Sequence, residues 1–248
     1  MPIRGGGGGG GGGGSSRWVF DMSTDYADLT SSRPAGMNIT EPVTGNLGAA
    51  SISSGELRMT HEGTTATRSS FNGSLTNRYE APRIEWKATR TVTDGLEIRA
   101  RLRADNLVTG SYPEFGIFMC EDQDAPSVDR TYSSIRGDGT YTINYEQGST
   151  WTVGPNVTSN KTLWMRMAIG SMGGMNAWYS TDDETDPENV TWTLWKQGVS
   201  TTAWFYNYLM SGLSVPVRFG IAIGQDAAGT QNYGTLLYLD SNITPTGV

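Results

Sequence analysis

Cysteine is almost missing from this chain. Cys120 is the only one, so no intrachain disulfide can form and no cluster of thiolates can hold a metal. Histidine is as scarce. A hydrolase built on a Ser–His–acid relay would have to use His61, the single imidazole, and a lone histidine in a polar strand suits that role poorly. Lysine occurs only at Lys87, Lys161 and Lys196, and the net charge is −7. Nucleic-acid binding, which needs a basic face, is therefore disfavoured. No apolar run is long enough for a membrane-spanning helix. No apolar stretch follows Arg4, so an ordinary secretory signal is not expected either. No long segment carries the 3.6-residue periodicity of an amphipathic helix.

What the chain has in quantity is the chemistry of strands and turns. Thr, Ser, Gly and Asn abound, with eight Trp and eleven Tyr in 248 residues, a length that suits one large all-β domain. The clearest strand is LEIRARLRA, 96–104. Leu96, Ile98, Ala100 and Leu102 fall on one face, and Glu97, Arg99, Arg101 and Arg103 on the other, the alternation of a half-buried strand. The charged stripe is expected to be a solvated face laced with ion pairs, or to receive an acidic neighbour. Further strands are predicted at 56–62, 83–92, 114–121, 140–146, 162–169, 175–181, 191–197, 217–224 and 235–241. Asp-Gly in RGDGT (136–140) and Gly-Gly in SMGGMN (171–176) mark hairpins. TDDETDPEN (181–189) makes a long acidic turn. Ten or more short strands without helical crossovers predict an all-β, antiparallel two-sheet jelly-roll sandwich. No internal repeat supports a propeller or solenoid.

Residues 162–197 carry a recognisable order of features: Trp164-Met-Arg166, Gly173-Gly174, Tyr179-Ser180, Asp182-Asp183 and Trp192. Gly220-Ile-Ala222, TLLYLDSNIT and EFGIFMCEDQDA extend it over about residues 50–245. The pattern resembles the central meander of concanavalin A-like sandwich domains, a superfamily that includes laminin-G-like and sialidase-linked lectin modules. The resemblance implies a sandwich of that type. It leaves function open, because lectins, hydrolases and structural domains share the fold.

No strand places two carboxylates on alternate positions of one face, the arrangement that lets some enzymes of this superfamily flank a glycosidic bond. On that ground the chain is expected not to be an enzyme. Loop carboxylates suit a hard cation, so Asp122, Asp124 and Asp129, or Asp182, Asp183 and Asp186, are the candidate ligands for calcium, the one cofactor considered. Trp and Tyr stack on the apolar faces of sugars. Trp151, Trp178, Trp204, Tyr206 and Tyr208 are candidates for glycan binding or for an interface, whereas Trp164 and Trp192 are expected to help fill the sandwich. Arg136-Gly137-Asp138 spells an adhesion tripeptide, but the hairpin already explains it.

Ten consecutive glycines, Gly5 to Gly14, precede the first core-forming residue. They lack the strand, lysine and helix of a phosphate-binding loop. Glycine loses the most backbone freedom on ordering, on the order of 1–2 kcal/mol per residue, so such a tract needs neighbouring protein to hold it. Residues 1–16 are therefore expected to be an extended anchor, with Ile3, Arg4, Gly5, Gly10 and Gly14 as docking positions and 17–248 as the sandwich. Anchor, glycine spacer, lectin-like sandwich and missing signal together resemble a tailed-bacteriophage virion protein. That implies a structural component of a tail fibre, tail tip or capsid surface, made in the host cytoplasm and displayed on the virion. It would bind other virion proteins through its arm, form a homo-oligomer with a trimer as first guess, and present the sandwich to cell-surface glycan. A decoration protein, or a free carbohydrate-binding or glycan-hydrolase module, is the alternative.

Overall fold

A computed structural model describes residues 17–41, 45–62, 81–90, 95–107, 113–121, 130–137, 141–147, 150–157, 162–169, 174–200, 215–225 and 231–248. The strands are β1 (Trp18–Val19), β2 (Met37–Thr40), β3 (Leu47–Ser53), β4 (Glu56–His61), β5 (Arg83–Arg90), β6 (Leu96–Asn106), β7 (Pro113–Glu121) and β8 (Arg130–Gly137). They continue as β9 (Tyr141–Gln147), β10 (Thr150–Asn156), β11 (Thr162–Ile169), β12 (Gly174–Ser180), β13 (Thr193–Ser200), β14 (Val215–Gln225) and β15 (Asn232–Ser241). All ten strands expected from the sequence are present. No helix among the described residues is long and apolar enough to cross a membrane.

The strands form two antiparallel sheets packed face to face. Sheet A runs β13-β12-β11-β6-β15-β4-β3, with β1 added on β15, and sheet B runs β10-β9-β8-β7-β14-β5-β2. The chain changes sheets repeatedly, as between β5 and β6 and again between β6 and β7, so the two layers are woven together as in a jelly roll. This is the sandwich expected from the strand pattern.

Alternation builds the core directly. Leu96, Ile98, Ala100, Leu102 and Ala104 of β6 meet Leu163, Met165, Met167 and Ile169 of β11 on the inner face of sheet A. Sheet B answers with Ile84, Trp86 and Ala88 of β5 and Val217, Phe219, Ile221 and Ile223 of β14. Trp86 is fully buried among Trp18, Phe20 and Phe219, with ring centroids 5.5, 4.8 and 6.3 Å away. This aromatic knot ties β1 to the opposite sheet, and truncating such a ring costs about 3–5 kcal/mol. Gly220 has a steric reason to be glycine: a Cβ there would lie 2.0 Å from the Ile84 carbonyl oxygen.

Candidate functional site: the outer face of sheet A

The residues that alternate with the core of β6 point outward, and register decides what they meet. β6 lies between β11 and β15, with Arg99 opposite both Arg166 and Asp240. Asp240 is wholly buried and accepts hydrogen bonds from Arg99 Nη2 at 2.5 Å, Arg17 Nη2 at 2.7 Å and the Tyr238 hydroxyl at 2.9 Å. Glu97 accepts from Arg17 Nη1 at 2.9 Å and Arg166 Nη2 at 2.6 Å. One guanidinium, that of Arg17, thus spans two carboxylates from two strands. Burial lowers the affinity of Arg99 for its proton, but the bonds to Asp240 and Glu188 outweigh it and hold the guanidinium above its ordinary pKa. Burial, reinforced by the Asp240 charge, raises the Tyr238 phenol.

The acidic turn folds back over this face. Glu188 Oε1 accepts from Arg99 Nη1 at 2.8 Å, the Asp183 carbonyl from Arg101 at 3.1 Å, and the Glu184 carbonyl from Trp164 Nε1 at 2.8 Å. Trp192, at the end of the turn, meets Trp164 edge-on with centroids 6.2 Å apart. The Arg166 guanidinium lies 4.4 Å from the Trp178 centroid and 5.8 Å from that of Trp192, within cation–π range. Between turn and sheet remains a groove of about 430 Å³, lined by Arg17, Glu97, Arg99, Arg166, Glu188 and Trp192, with Pro187, Val190 and Asn242.

The charged stripe is therefore not a solvated face along its length. Arg99 is buried, and the acidic surface that it receives belongs to its own chain. Trp164 and Trp192 do not fill the sandwich. They pack on the outside of sheet A, Trp164 fully buried under the turn and Trp192 half-buried beside the groove.

Of the predicted glycan-binding residues, Trp178 lies on this face. Trp151 enters through its backbone, which pairs with Glu146 in sheet B. Trp204, Tyr206 and Tyr208 lie outside the described residues, as do Asp122, Asp124, Asp129 and the arm positions Ile3, Arg4, Gly5, Gly10 and Gly14. Asp182 accepts from the Thr191 amide at 2.7 Å and Asp186 from the Glu188 amide at 3.0 Å, bonds that shape the turn. Among the described residues no three acidic, cysteine or histidine side chains are grouped to hold a metal ion. Arg136 of the adhesion tripeptide is buried, paired at 3.7 Å with the buried Glu114, and Asp138 lies outside the described residues.

Two further buried carboxylates lie on the outer face of sheet B. Glu85 is held by Arg83 at 2.8 Å and Arg218 at 3.2 Å, and Glu114 accepts from the Ser134 hydroxyl at 3.1 Å. They stand two strands and four residues apart, about 16 Å between Cα atoms. A glycosidase pair needs roughly 5 to 9.5 Å between carboxyl groups, so the bridged pair Glu97 and Asp240 is the better placed. Sequence reasoning missed this pair because its members come from different strands. The signal was a register of β6 with β15, which no linear motif contains.

At the other end of β6 a second groove, about 560 Å³, is lined by Ser51, Ser53, Ser54, Glu56, Arg58, Arg103, Asp105, Tyr233 and Thr235. Arg103 donates to Glu56 at 2.8 and 2.7 Å and to Asp105 at 2.5 Å. The hydrogen bonds from Arg103 hold the Glu56 carboxyl below its usual range.

No family model matches this chain, and no curated protein does. Solved structures do. The sandwich is similar to a GH43 protein, BlXynB, of Bacillus licheniformis, with TM-score 0.59 and 11% identity over 91% of this chain and 39% of that one. A xylan β-1,4-xylosidase of Bacillus halodurans C-125 gives 0.54 and 13%, over 90% and 38%. An immunostimulatory antigen and pseudo β-1,3-glucanase of Mycobacterium tuberculosis gives 0.50 and 12%, over 94% and 100%. The chain thus spans about two fifths of the length of the first two. The likeness supports the concanavalin-like sandwich. It corrects the expectation of a bacteriophage structural protein, and with it that of a chain that is not an enzyme: the shared architecture is found in glycoside-hydrolase structures, and none of these structures is a virion protein. The non-enzyme expectation rested on the missing same-strand carboxylate motif, whereas this sandwich brings Glu97 and Asp240 onto one arginine from two different strands.

Proposed function

We propose that this chain is a carbohydrate-active domain, a sandwich of the glycoside-hydrolase type that takes a saccharide in the groove beside Trp192. The observation that carries the proposal is the fold likeness to a GH43 protein and a xylosidase over nine tenths of the chain. The groove supports it chemically. Trp192 offers an aromatic ring, and Arg17, Glu97, Arg166 and Glu188 offer charged donors and acceptors for sugar hydroxyls. Hydrolysis here would use Glu97, which lines the groove, and Asp240, which lies wholly buried behind Arg17 and Arg99 and would have to be uncovered. Each is ion-paired and accepts hydrogen bonds, so one would have to release an arginine to the substrate before it could carry a proton to the leaving oxygen.

The test is calorimetric titration of the chain with xylo-oligosaccharides and β-1,3-gluco-oligosaccharides, with reducing-end release followed in parallel. Binding is expected, weakened about tenfold in Trp192→Ala. Absence of both binding and release with every saccharide tried would overturn the proposal.

A further inference from the structure

The second groove contains a guanidinium that the network leaves unspent. Arg103 satisfies both carboxylates of this groove, Glu56 and Asp105, through three hydrogen bonds. Arg58, on β4 across β15 from β6, is exposed and forms no ion pair with any described residue. It is nevertheless held in place: its Cζ lies 3.6 Å from the centre of the Tyr233 ring, so the guanidinium lies over an aromatic plate. A planar cation positioned in this way has lost part of its rotational freedom before any ligand arrives, and its N–H fork matches a carboxylate in bidentate geometry.

The surroundings are those of a sugar. Ser51 and Ser53 are on the outer face of β3, opposite Arg58 and Glu56. The β3–β4 turn is fixed by Ser54 and Gly55 at φ +54° and +79°, with the Ser54 amide donating to Asp25 at 2.8 Å. A non-glycine residue in the left-handed region is uncommon, and here it sets a serine at the rim of a groove. Hydroxyls and one unspent cation beside a ring suit a saccharide that carries one negative group.

We propose that the β3–β4 groove binds a carboxylate-bearing sugar, a uronate, with its carboxylate on Arg58 and its hydroxyls on the serine-lined wall. This rests on the carbohydrate reading above and names a ligand class for it, at a site apart from the Trp192 groove. Both local carboxylates are already paired with Arg103, so the incoming charge meets a region whose formal charges, Arg58 and Arg103 against Glu56 and Asp105, cancel.

The experiment compares short oligogalacturonides with their carboxyl-reduced counterparts, which keep the sugar framework and lose the charge. Titration of the intact chain should show the acidic form binding about tenfold more tightly, the contribution of a charged bidentate hydrogen bond. Arg58→Ala, an exposed change that leaves the core untouched, should remove that preference, and Arg58→Lys should keep only part of it. Trp192→Ala should leave it intact. Equal binding of the two forms, or a preference that survives Arg58→Ala, would overturn the uronate site while leaving the carbohydrate reading in place. A preference abolished by Trp192→Ala would place the anion in the other groove and equally overturn it. Binding of the acidic form alone, dependent on Arg58 and without any response to neutral saccharides, would support this site and count against the Trp192 groove. No binding of any saccharide would overturn both.

Discussion

The two ends of β6 begin from the same pattern and finish as different surfaces. Each has arginines and acids alternating with apolar residues. At the Glu97–Arg99 end, register brings Asp240 alongside and the 181–192 turn closes over it, so Asp240 is fully buried and Arg99 nearly so. At the Arg103–Asp105 end no described residue forms such a roof. The side chains of Arg103, Glu56 and Asp105 are 31%, 42% and 22% exposed. The lesson is that the worth of an ion pair here is set by what covers it. A buried pair becomes costly to break, because the orphaned partner has no water to turn to. An exposed pair is exchanged for hydration at little cost.

Substitutions that break one end and spare the other test this contrast. Asp240→Asn should lower the unfolding free energy by about 3–5 kcal/mol, since it strands Arg99 in a buried position. Urea unfolding at neutral pH would measure it, and a loss no larger than that of Asp105→Asn would erase the distinction. A pH series sharpens the picture on the core side of β4, behind the open groove. Burial pushes the His61 imidazole down to about 4. The unfolded chain takes up a proton near 6.5 that the folded chain refuses until about 4, so stability falls as pH drops through that window, by about 3 kcal/mol in all. In His61→Gln that slope should vanish, and an unchanged slope would assign the effect elsewhere. Asp105→Asn at the open end should cost no more than about 1 kcal/mol. Smallest of all is Glu188→Gln. Its carboxylate is 70% exposed although its partner is buried, so a change of a few tenths to about 1 kcal/mol is expected. A larger loss would mean that the turn is held mainly by this bond and not by Trp164 and Arg101.

Much of the sandwich was legible in the chain. Strict alternation in 96–104 fixed which residues enter the core, the Asp-Gly signal falls between β8 and β9, and the Gly-Gly signal falls where β12 begins. The strands outside the predicted set are β1, β2, β3, β8 and β10, and the first three are weak in pattern. β3, LGAASIS, is poor in large apolar residues, and β2 is only four residues long. β1 is held mainly by Trp18, whose partners Trp86 and Phe219 lie far along the chain.

The site was hardly legible. Residue type alone points to Trp178. A tryptophan after an acidic turn gives no hint that the turn folds outward, so Trp192 reads as an interior residue. Glu97 and Asp240 could not be paired in advance, because the bridge is Arg17, three residues past the last glycine of the tract. Local chemistry alone determined that this chain makes strands, which side of each is apolar, and where it turns. Those choices depend on nearest neighbours and on period. Which charges are buried, which carboxylates meet, and which arginine is left over were decided only when register set β6 between β11 and β15. A shift of one residue in that register would turn every one of those side chains to the other face.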